Sequence, residues 1–146
     1  MDNKGNKGRL LVVDDEADVR KSLRLILTKA GYDVDEAEDP EAGVALVKSG
    51  HNPVPLSAII TDLNMPKINE IIVIPYLRSQ FPSCPILVLS GSNKMERASN
   101  MFKKAGVEFL AKPINQEQLL GAVKKAVNEG EARDKVATWP TPSSAK

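Results

Sequence analysis

The chain has 146 residues, of which 42% are hydrophobic and 27% charged, and its formal net charge is +1. This length and balance predict one soluble domain with a real core and leave little room for a second. A net charge this small gives no electrostatic field strong enough to indicate binding to nucleic acid or to an acidic membrane. No apolar stretch is long enough to span a bilayer, and the polar N-terminus lacks the apolar core of a signal peptide. We therefore expect a cytoplasmic protein without nucleic-acid or membrane partners, in which the single cysteine, Cys84, is a packing residue.

Apolar runs alternate with helical patterns along the chain. Five runs predict strands, at residues 10–13, 33–37, 58–60, 86–89 and 107–110. Five helical patterns follow them in turn, at residues 16–30, 40–50, 70–81, 91–106 and 115–130. Apart from Glu108, all the strands but the second are apolar throughout, which is typical of a parallel sheet that is covered on both faces.

Local signals mark several helix ends. Asp39 before Pro40 predicts an N-cap with proline in the first turn, and Asn115 with Gln118 predicts a capping-box variant. Pro75 must lie in the first turn of its helix or kink it, because proline deeper in a helix costs roughly 3 kcal/mol.

Polar residues follow four of the predicted strands, directly or after one residue. They are Asp14-Asp15, Asp62, Ser90 and Lys112-Pro113. Taken one at a time, such residues are ordinary helix caps, turn residues or solvated charges. Their occurrence in order after buried strands predicts a common site, because the carboxyl ends of parallel strands meet at one edge of the sheet.

The residue types predict phosphoryl chemistry at that edge. Converging carboxylates repel one another unless a cation neutralises them, and hard oxygen ligands suit Mg²⁺. The carboxylate of Asp62 can attack phosphorus and hold the group as an acyl phosphate. The ammonium of Lys112 and the hydroxyl of Ser90 can then bind the phosphoryl oxygens.

Four motifs resemble the receiver domain of two-component response regulators, including chemotaxis-type regulators. They are Leu11-Val12-Val13-Asp14-Asp15-Glu16, Thr61-Asp62-Leu63-Asn64-Met65-Pro66, Leu89-Ser90-Gly91 and Ala111-Lys112-Pro113. The resemblance covers about residues 8–130 and implies a flavodoxin-like, doubly wound α/β fold with a five-stranded parallel sheet in the order 2-1-3-4-5 and five helices. We expect residues 1–7 to be a flexible arm and residues 131–146 a flexible tail or linker.

The resemblance also implies roles for the acidic residues. Asp62 would accept a phosphoryl group from a sensor histidine kinase or a histidine phosphotransfer protein. Mg²⁺ would be bound by Asp14 or Asp15, by Asp62 and by the backbone carbonyl of Asn64.

By the same resemblance, Lys112 would contact the phosphate, through a Lys112-Pro113 bond that is typically cis in such domains. Ser90 would be the switch hydroxyl. Phe109 falls at the position of the switch aromatic, and a plain half-buried strand aromatic is an equally weighted interpretation. Phosphorylation would remodel the surface formed by the predicted helix before Gly106, the last strand and the last helix, and so control binding to a downstream protein; a homodimer stays open.

Two departures from the family pattern follow Asp62. Glu70 stands where receivers commonly have glycine, so the preceding turn must take another geometry. The run at residues 71–74 is apolar all round, and Ile72 falls at a position that usually faces solvent. We expect Pro75 to reshape this helix so that the run is buried, rather than exposed as a partner surface.

Three classes of function remain open. The first is a single-domain phosphoacceptor switch, or the receiver fragment of a larger regulator; it is not an enzyme beyond its own phosphotransfer and dephosphorylation. The second is a dehalogenase-type, Mg²⁺-dependent phosphatase, although Asp14-Asp15-Glu16 does not supply the Asp-x-Asp nucleophile motif of that class. The third is a flavodoxin-like nucleotide-binding protein, which the absence of a glycine-rich loop after Val13 weakens.

Overall fold

The computed structural model describes residues 7–52, 54–62, 70–90, 106–112 and 114–137, and the side chains of all of these except residues 70, 71, 90 and 130–137. The described part contains β1 (Arg9–Val13), α1 (Ala17–Lys29), β2 (Asp33–Ala37), α2 (Pro40–Lys48), β3 (Leu56–Asp62), α3 (Glu70–Gln80), β4 (Ile86–Ser90), β5 (Val107–Ala111) and α4 (Gln116–Ala137). The helix predicted within residues 91–106 lies outside the described residues. Among the helices of the described part, none has the length and apolar character needed to cross a membrane.

The five strands form one parallel sheet in the order β2-β1-β3-β4-β5. This confirms the predicted fold class. Strand order reverses at β1, and in open α/β sheets ligands bind beyond the carboxyl ends of the strands at such a point, here those of β1 and β3.

Alternate residues of each strand pack on opposite faces of the sheet. On one face, Leu11, Val13 and Ile59 pack with residues of α2 and α3. On the other face, Leu10, Val12 and Ile60 pack with residues of α1 and α4. The central strands β1, β3 and β4 are largely apolar because both of their faces are covered.

The predicted helix caps are present. Asp39 Oδ1 accepts a hydrogen bond from the backbone N–H of Ala42 at 2.7 Å, and Pro40 lies in the first turn of α2. Asn115 Oδ1 accepts from the backbone N–H of Gln118 at 2.7 Å, while the Asn115 N–H lies 3.5 Å from Gln118 Oε1. Each cap provides an acceptor for a backbone N–H that has no partner within its own helix.

The polar strand β2 lies at the edge of the sheet and is tied to its neighbours by a buried arginine. Arg9 is 2% exposed, and its Nη2 lies 2.7 Å from Asp35 Oδ2. Its Nη1 donates to the carbonyls of Asn52 and Val54, at 3.1 and 2.8 Å. The guanidinium therefore joins β1, β2 and the loop before β3, and its charge is paired as burial requires.

Helix α3 differs from the expectation. Pro75 is exposed and lies inside the helix, beyond its first turn, so of the two predicted alternatives the first is wrong and the kink stays a prediction. Val73 and Ile74 are buried as expected, but Ile72 is 68% exposed, so the expected burial of the whole run is wrong at Ile72. A helix turns about 100° per residue, and consecutive side chains cannot all face the sheet.

Helix α4 runs through Gly130 to Ala137, beyond the predicted end of the domain at residue 130. Glycine inside a helix costs only about 1 kcal/mol, and the alanine, glutamate, arginine and lysine residues that follow are good helix formers. The assignment of residues 131–146 as a flexible tail or linker stays a prediction for residues 138–146, which lie outside the described part, and gives way to helix for residues 131–137.

Candidate functional site

Asp14 is a buried carboxylate at the carboxyl end of β1. Its side chain is fully buried, and its Oδ1 accepts a hydrogen bond from the backbone N–H of Glu16 at 2.9 Å. Its own backbone N–H donates to the carbonyl of Ala37, at the end of β2, at 3.1 Å. Its Oδ2 is buried and finds no hydrogen-bond partner among the described residues. Such an atom is costly in the folded protein unless something binds it.

The charge of Asp14 is disfavoured in this position. The pKa of Asp14 is raised from 3.8 to about 6; burial is the largest cause, and the backbone hydrogen bond from Glu16 opposes it. The negative charge of Asp62 also raises the pKa, and so does the hydrogen bond that only a protonated Asp14 can donate to the Asp62 carboxylate, whereas the charge of Lys112 lowers it. Two adjacent buried carboxylates are unfavourable together without a cation.

Asp62 ends β3, beside the end of β1. Thr61 pairs with Val13 across these two strands, so Asp62 and Asp14 each follow one member of that pair. Asp62 is 3% exposed, and its Oδ2 accepts from Lys112 Nζ at 2.6 Å. Lys112 follows β5, so its side chain reaches across the end of β4 to make this contact.

The chemistry of this donor set fits a hard divalent cation. Asp14 and Asp62 present carboxylate oxygens, and Asp14 Oδ2 lacks a partner within the described part of the chain. Mg²⁺ is commonly bound by one or two carboxylates together with water and phosphate oxygens. Within the described residues, no group of three or more His, Cys, Asp or Glu side chains is arranged to hold a metal.

The other predicted site residues are placed as follows. Asp15 is exposed beside Asp14, so it does not join the buried pair. The backbone of Ser90 pairs with Ala111 at the end of β4, while its side chain lies outside the description. Phe109 is half-buried and packs against the core face that contains Val88. The predicted carbonyl ligand of Asn64 and the predicted cis bond to Pro113 both fall on residues outside the described part. The roles of all these residues stay predictions.

Two residues of the site region were not anticipated from the sequence. Arg20 Nη1 donates to the backbone carbonyl of Asp14 at 2.7 Å, although a charged residue in α1 looks like part of a solvated helix face. Thr61, next to Asp62, is fully buried, and its hydroxyl has no hydrogen-bond partner in the parts that the structure covers. A threonine in a strand carries no signal of that kind, because its β-branched side chain suits any strand.

Comparison with known proteins identifies the family. Residues 10–124 match the response regulator receiver domain. The chain is 27% identical over 125 residues to the transcriptional regulatory protein FixJ of Bradyrhizobium diazoefficiens, a match that covers 86% of this chain and 59% of FixJ. It is 33% identical over 116 residues to the response regulator MprA of Mycolicibacterium vanbaalenii, covering 80% of this chain and 48% of MprA. The chain thus spans about half the length of these curated relatives.

The fold is also found among solved structures. A response regulator receiver domain protein from Clostridium thermocellum superposes with a TM-score of 0.72 at 24% identity, covering 88% of this chain and 98% of that one. Three observations point to the same family. They are the strand order, the acidic pair at the ends of β1 and β3, and the match over most of the chain. The chain belongs to the response regulator receiver domain family, whose members are signalling domains of two-component systems.

Proposed function

We propose that this chain is a phosphoacceptor switch in which Asp62 takes a phosphoryl group from the phosphohistidine of a sensor kinase or of a phosphotransfer protein. The observation that carries the proposal is the 2.6 Å contact between Lys112 Nζ and Asp62 Oδ2, next to the buried Asp14. Residues from three strand ends, nearly 100 positions apart in the sequence, are combined there around one carboxylate.

In the transfer, a carboxylate oxygen of Asp62 attacks the phosphorus atom. A new O–P bond forms, the N–P bond of the phosphohistidine breaks, and the donor imidazole nitrogen keeps the electron pair of that bond. The chain does little covalent chemistry beyond offering its nucleophile, so its contribution is positioning and charge stabilisation. Lys112 is already in contact with Asp62, and after the transfer its ammonium binds an oxygen of the phosphoryl group.

Mg²⁺ is the cation that we expect at this site, held by Asp14 and Asp62 with the backbone carbonyl of Asn64, and with Asp15 at the exposed rim. When bound, it would neutralise the negative charge that builds up on the phosphoryl oxygens. Asp14 suits this role because its Oδ2 is buried and has no hydrogen-bond partner among the described residues.

The output is protein binding. The hydroxyl of Ser90, at the end of β4, would move toward the phosphoryl group and bind it. Phe109 on β5 would respond by repacking against its face of the core. The length difference from FixJ and MprA leaves two versions of the proposal: a regulator that acts through this domain alone, and the receiver part of a larger regulator. The small net charge gives the domain itself no reason to bind DNA.

Phosphorylation by a small donor tests the acceptor directly. Incubated with Mg²⁺ and acetyl phosphate, the protein should gain one phosphoryl group by intact mass spectrometry. Asp62→Asn should abolish the gain, because the amide is not a nucleophile toward phosphorus. Lys112→Ala should reduce both the rate of the gain and its yield.

Asp39→Asn is the matched control, because Asp39 is a partly exposed carboxylate at the start of α2 and asparagine caps helices equally well. It should be phosphorylated like the wild type. A gain that survives in Asp62→Asn would contradict the assignment of the acceptor. Rapid consumption of acetyl phosphate without a retained group would favour the phosphatase alternative instead.

A further inference from the structure

We infer that Arg20 is a positioning residue of the phosphoryl site, which holds the turn between β1 and α1 so that the carboxylate of Asp14 stays directed toward Asp62. The inference rests on the proposed function, because it concerns the same acidic pair. Its basis is the 2.7 Å hydrogen bond from Arg20 Nη1 to the backbone carbonyl of Asp14.

The chain must turn sharply at Asp14 while it buries a charged side chain. Three hydrogen bonds fix the residue there: its N–H donates to the Ala37 carbonyl, its Oδ1 accepts from the Glu16 N–H, and its carbonyl accepts from Arg20. The first needs only the backbone carbonyl of residue 37, and the second needs only an N–H at position 16, which any residue except proline supplies. The third depends on the side chain of Arg20, so it is the one that a substitution can remove.

Arg20 is itself held in place by β2. Its Nε lies 3.4 Å from Glu36 Oε1, and Glu36 also forms an ion pair with Nε of Arg24. Glu36 directly precedes Ala37, whose carbonyl binds the Asp14 N–H. The backbone N–H and the carbonyl of Asp14 are therefore both connected to the end of β2. The N–H binds Ala37 directly, and the carbonyl is linked to Glu36 through Arg20.

Arg20 is more buried than Arg24, its neighbour on the same face of α1. The side chain of Arg20 is 19% exposed and that of Arg24 is 37% exposed, although both pair with Glu36. Exposed ion pairs contribute little to stability, whereas a charge-assisted hydrogen bond to a shielded carbonyl is stronger. Arg24 is thus a matched control: it has the same partner and the same helix, with no contact to Asp14.

The consequence should appear in Mg²⁺ binding before it appears in phosphoryl transfer. Groups that orient a metal ligand typically change metal affinity about 10-fold or more when they are removed. Arg20→Ala should therefore raise the dissociation constant for Mg²⁺ by about 10-fold. Isothermal titration calorimetry with Mg²⁺ alone measures it. Arg24→Ala should leave it within about 2-fold of the wild type, as expected when only an exposed ion pair is lost.

Kinetics separate positioning from a general loss of structure. With acetyl phosphate in excess, Arg20→Ala should need more Mg²⁺ for half-maximal phosphorylation, and at saturating Mg²⁺ its rate should return to the wild-type rate. Arg20→Lys should restore part of the affinity, since an ammonium can still donate to the Asp14 carbonyl. Glu36→Gln, which loosens the anchor without removing the donor, should give a smaller effect than Arg20→Ala.

The possible outcomes are distinct. Wild-type Mg²⁺ affinity in Arg20→Ala, or equal losses in Arg20→Ala and Arg24→Ala, would overturn the role of Arg20 while leaving the proposed function intact. If Arg20→Ala does not fold, as judged by circular dichroism in EDTA, Arg20→Lys and Glu36→Gln decide: affinity unchanged from the wild type in both also overturns it. A wild-type protein that neither binds Mg²⁺ nor takes up phosphate would remove the proposed function, and this inference with it.

Discussion

Asp14 should destabilise the metal-free fold at neutral pH. Burial and the neighbouring Asp62 raise its pKa from 3.8 to about 6 in the folded protein. A raised pKa means that the folded state binds the proton more tightly than the unfolded state does. The resulting stabilisation is fully present below pH 3.8 and is lost as the pH rises through about 6.

Asp14→Asn should therefore stabilise the protein in EDTA at pH 7.5. Two pKa units correspond to roughly 3 kcal/mol, so we expect the free energy of unfolding to rise by about 2 to 3 kcal/mol. The asparagine oxygen can still accept from the Glu16 N–H. Urea unfolding at pH 7.5 and at pH 3.5 is the measurement, and the gain should nearly vanish at the lower pH.

Asp15→Asn is the control for that experiment, since Asp15 is exposed next to the same turn. It should change the free energy of unfolding by less than about 0.5 kcal/mol, as surface substitutions usually do. Destabilisation by Asp14→Asn, or an equal gain at both pH values, would contradict the unfavourable charge that we assign to Asp14.

The sequence predicts residues of the site where strand ends determine their position. Asp14, Asp62 and Lys112 each follow a buried strand, and the carboxyl ends of parallel strands share an edge, so their meeting could be anticipated. Arg20 could not be, because its role depends on a side-chain contact back to the turn that precedes its own helix. The exposure of Asp15 likewise follows from how that turn is folded, which residue type alone does not determine.

Among the elements, strands and capped helices were the easiest to predict. Apart from the polar β2, the strands are short, mostly apolar runs, and α2 starts at an Asp-Pro pair, so both carry local signals. Helix ends without such signals were harder. Helix α4 passes Gly130 because glycine is only a weak helix breaker, and α3 accommodates Pro75 inside the helix, a choice that depends on tertiary packing.

Two helical glycines should respond in opposite ways to the same substitution. A Cβ at Gly121, in α4, would meet no atom within 4 Å. Gly121→Ala should therefore stabilise the protein by about 0.5 to 1 kcal/mol, the difference in helix propensity. A Cβ at Gly43, in α2, would lie 3.0 Å from Leu11 Cδ2 and 3.4 Å from Ala37 Cβ.

Gly43→Ala should therefore lose that gain to overpacking, which typically costs about 1 to 3 kcal/mol in a well-packed core. Thermal unfolding followed by circular dichroism compares the two variants under one condition. A higher melting temperature for Gly43→Ala than for Gly121→Ala would show that α2 does not lie this close to β1.

At the scale of the whole molecule, the acidic site is formed only by the complete sheet. Asp14 follows β1, Asp62 ends β3 and Lys112 follows β5, and β4 lies between β3 and β5. No segment of the chain contains the site by itself, so a ligand that binds these residues binds the folded state and not the unfolded one. Such a ligand stabilises the whole domain by mass action.

Mg²⁺ should accordingly raise the melting temperature in a pH-dependent way. At about 100 times its dissociation constant, a ligand specific to the folded state adds roughly 2.7 kcal/mol, which corresponds to about 5 to 10 °C for a domain of this size. Because the pKa of Asp14 is about 6, its carboxylate is mostly protonated at pH 4.5, and the proton competes with the cation. At the same Mg²⁺ concentration the shift should therefore fall below half of its value at pH 7.5.

Differential scanning calorimetry of the wild type and of Asp14→Asn, with Na⁺ at matched ionic strength as the control, measures both effects. An equal shift at the two pH values, or a full shift in Asp14→Asn, would mean that Mg²⁺ stabilises the protein from somewhere other than the Asp14 and Asp62 pair.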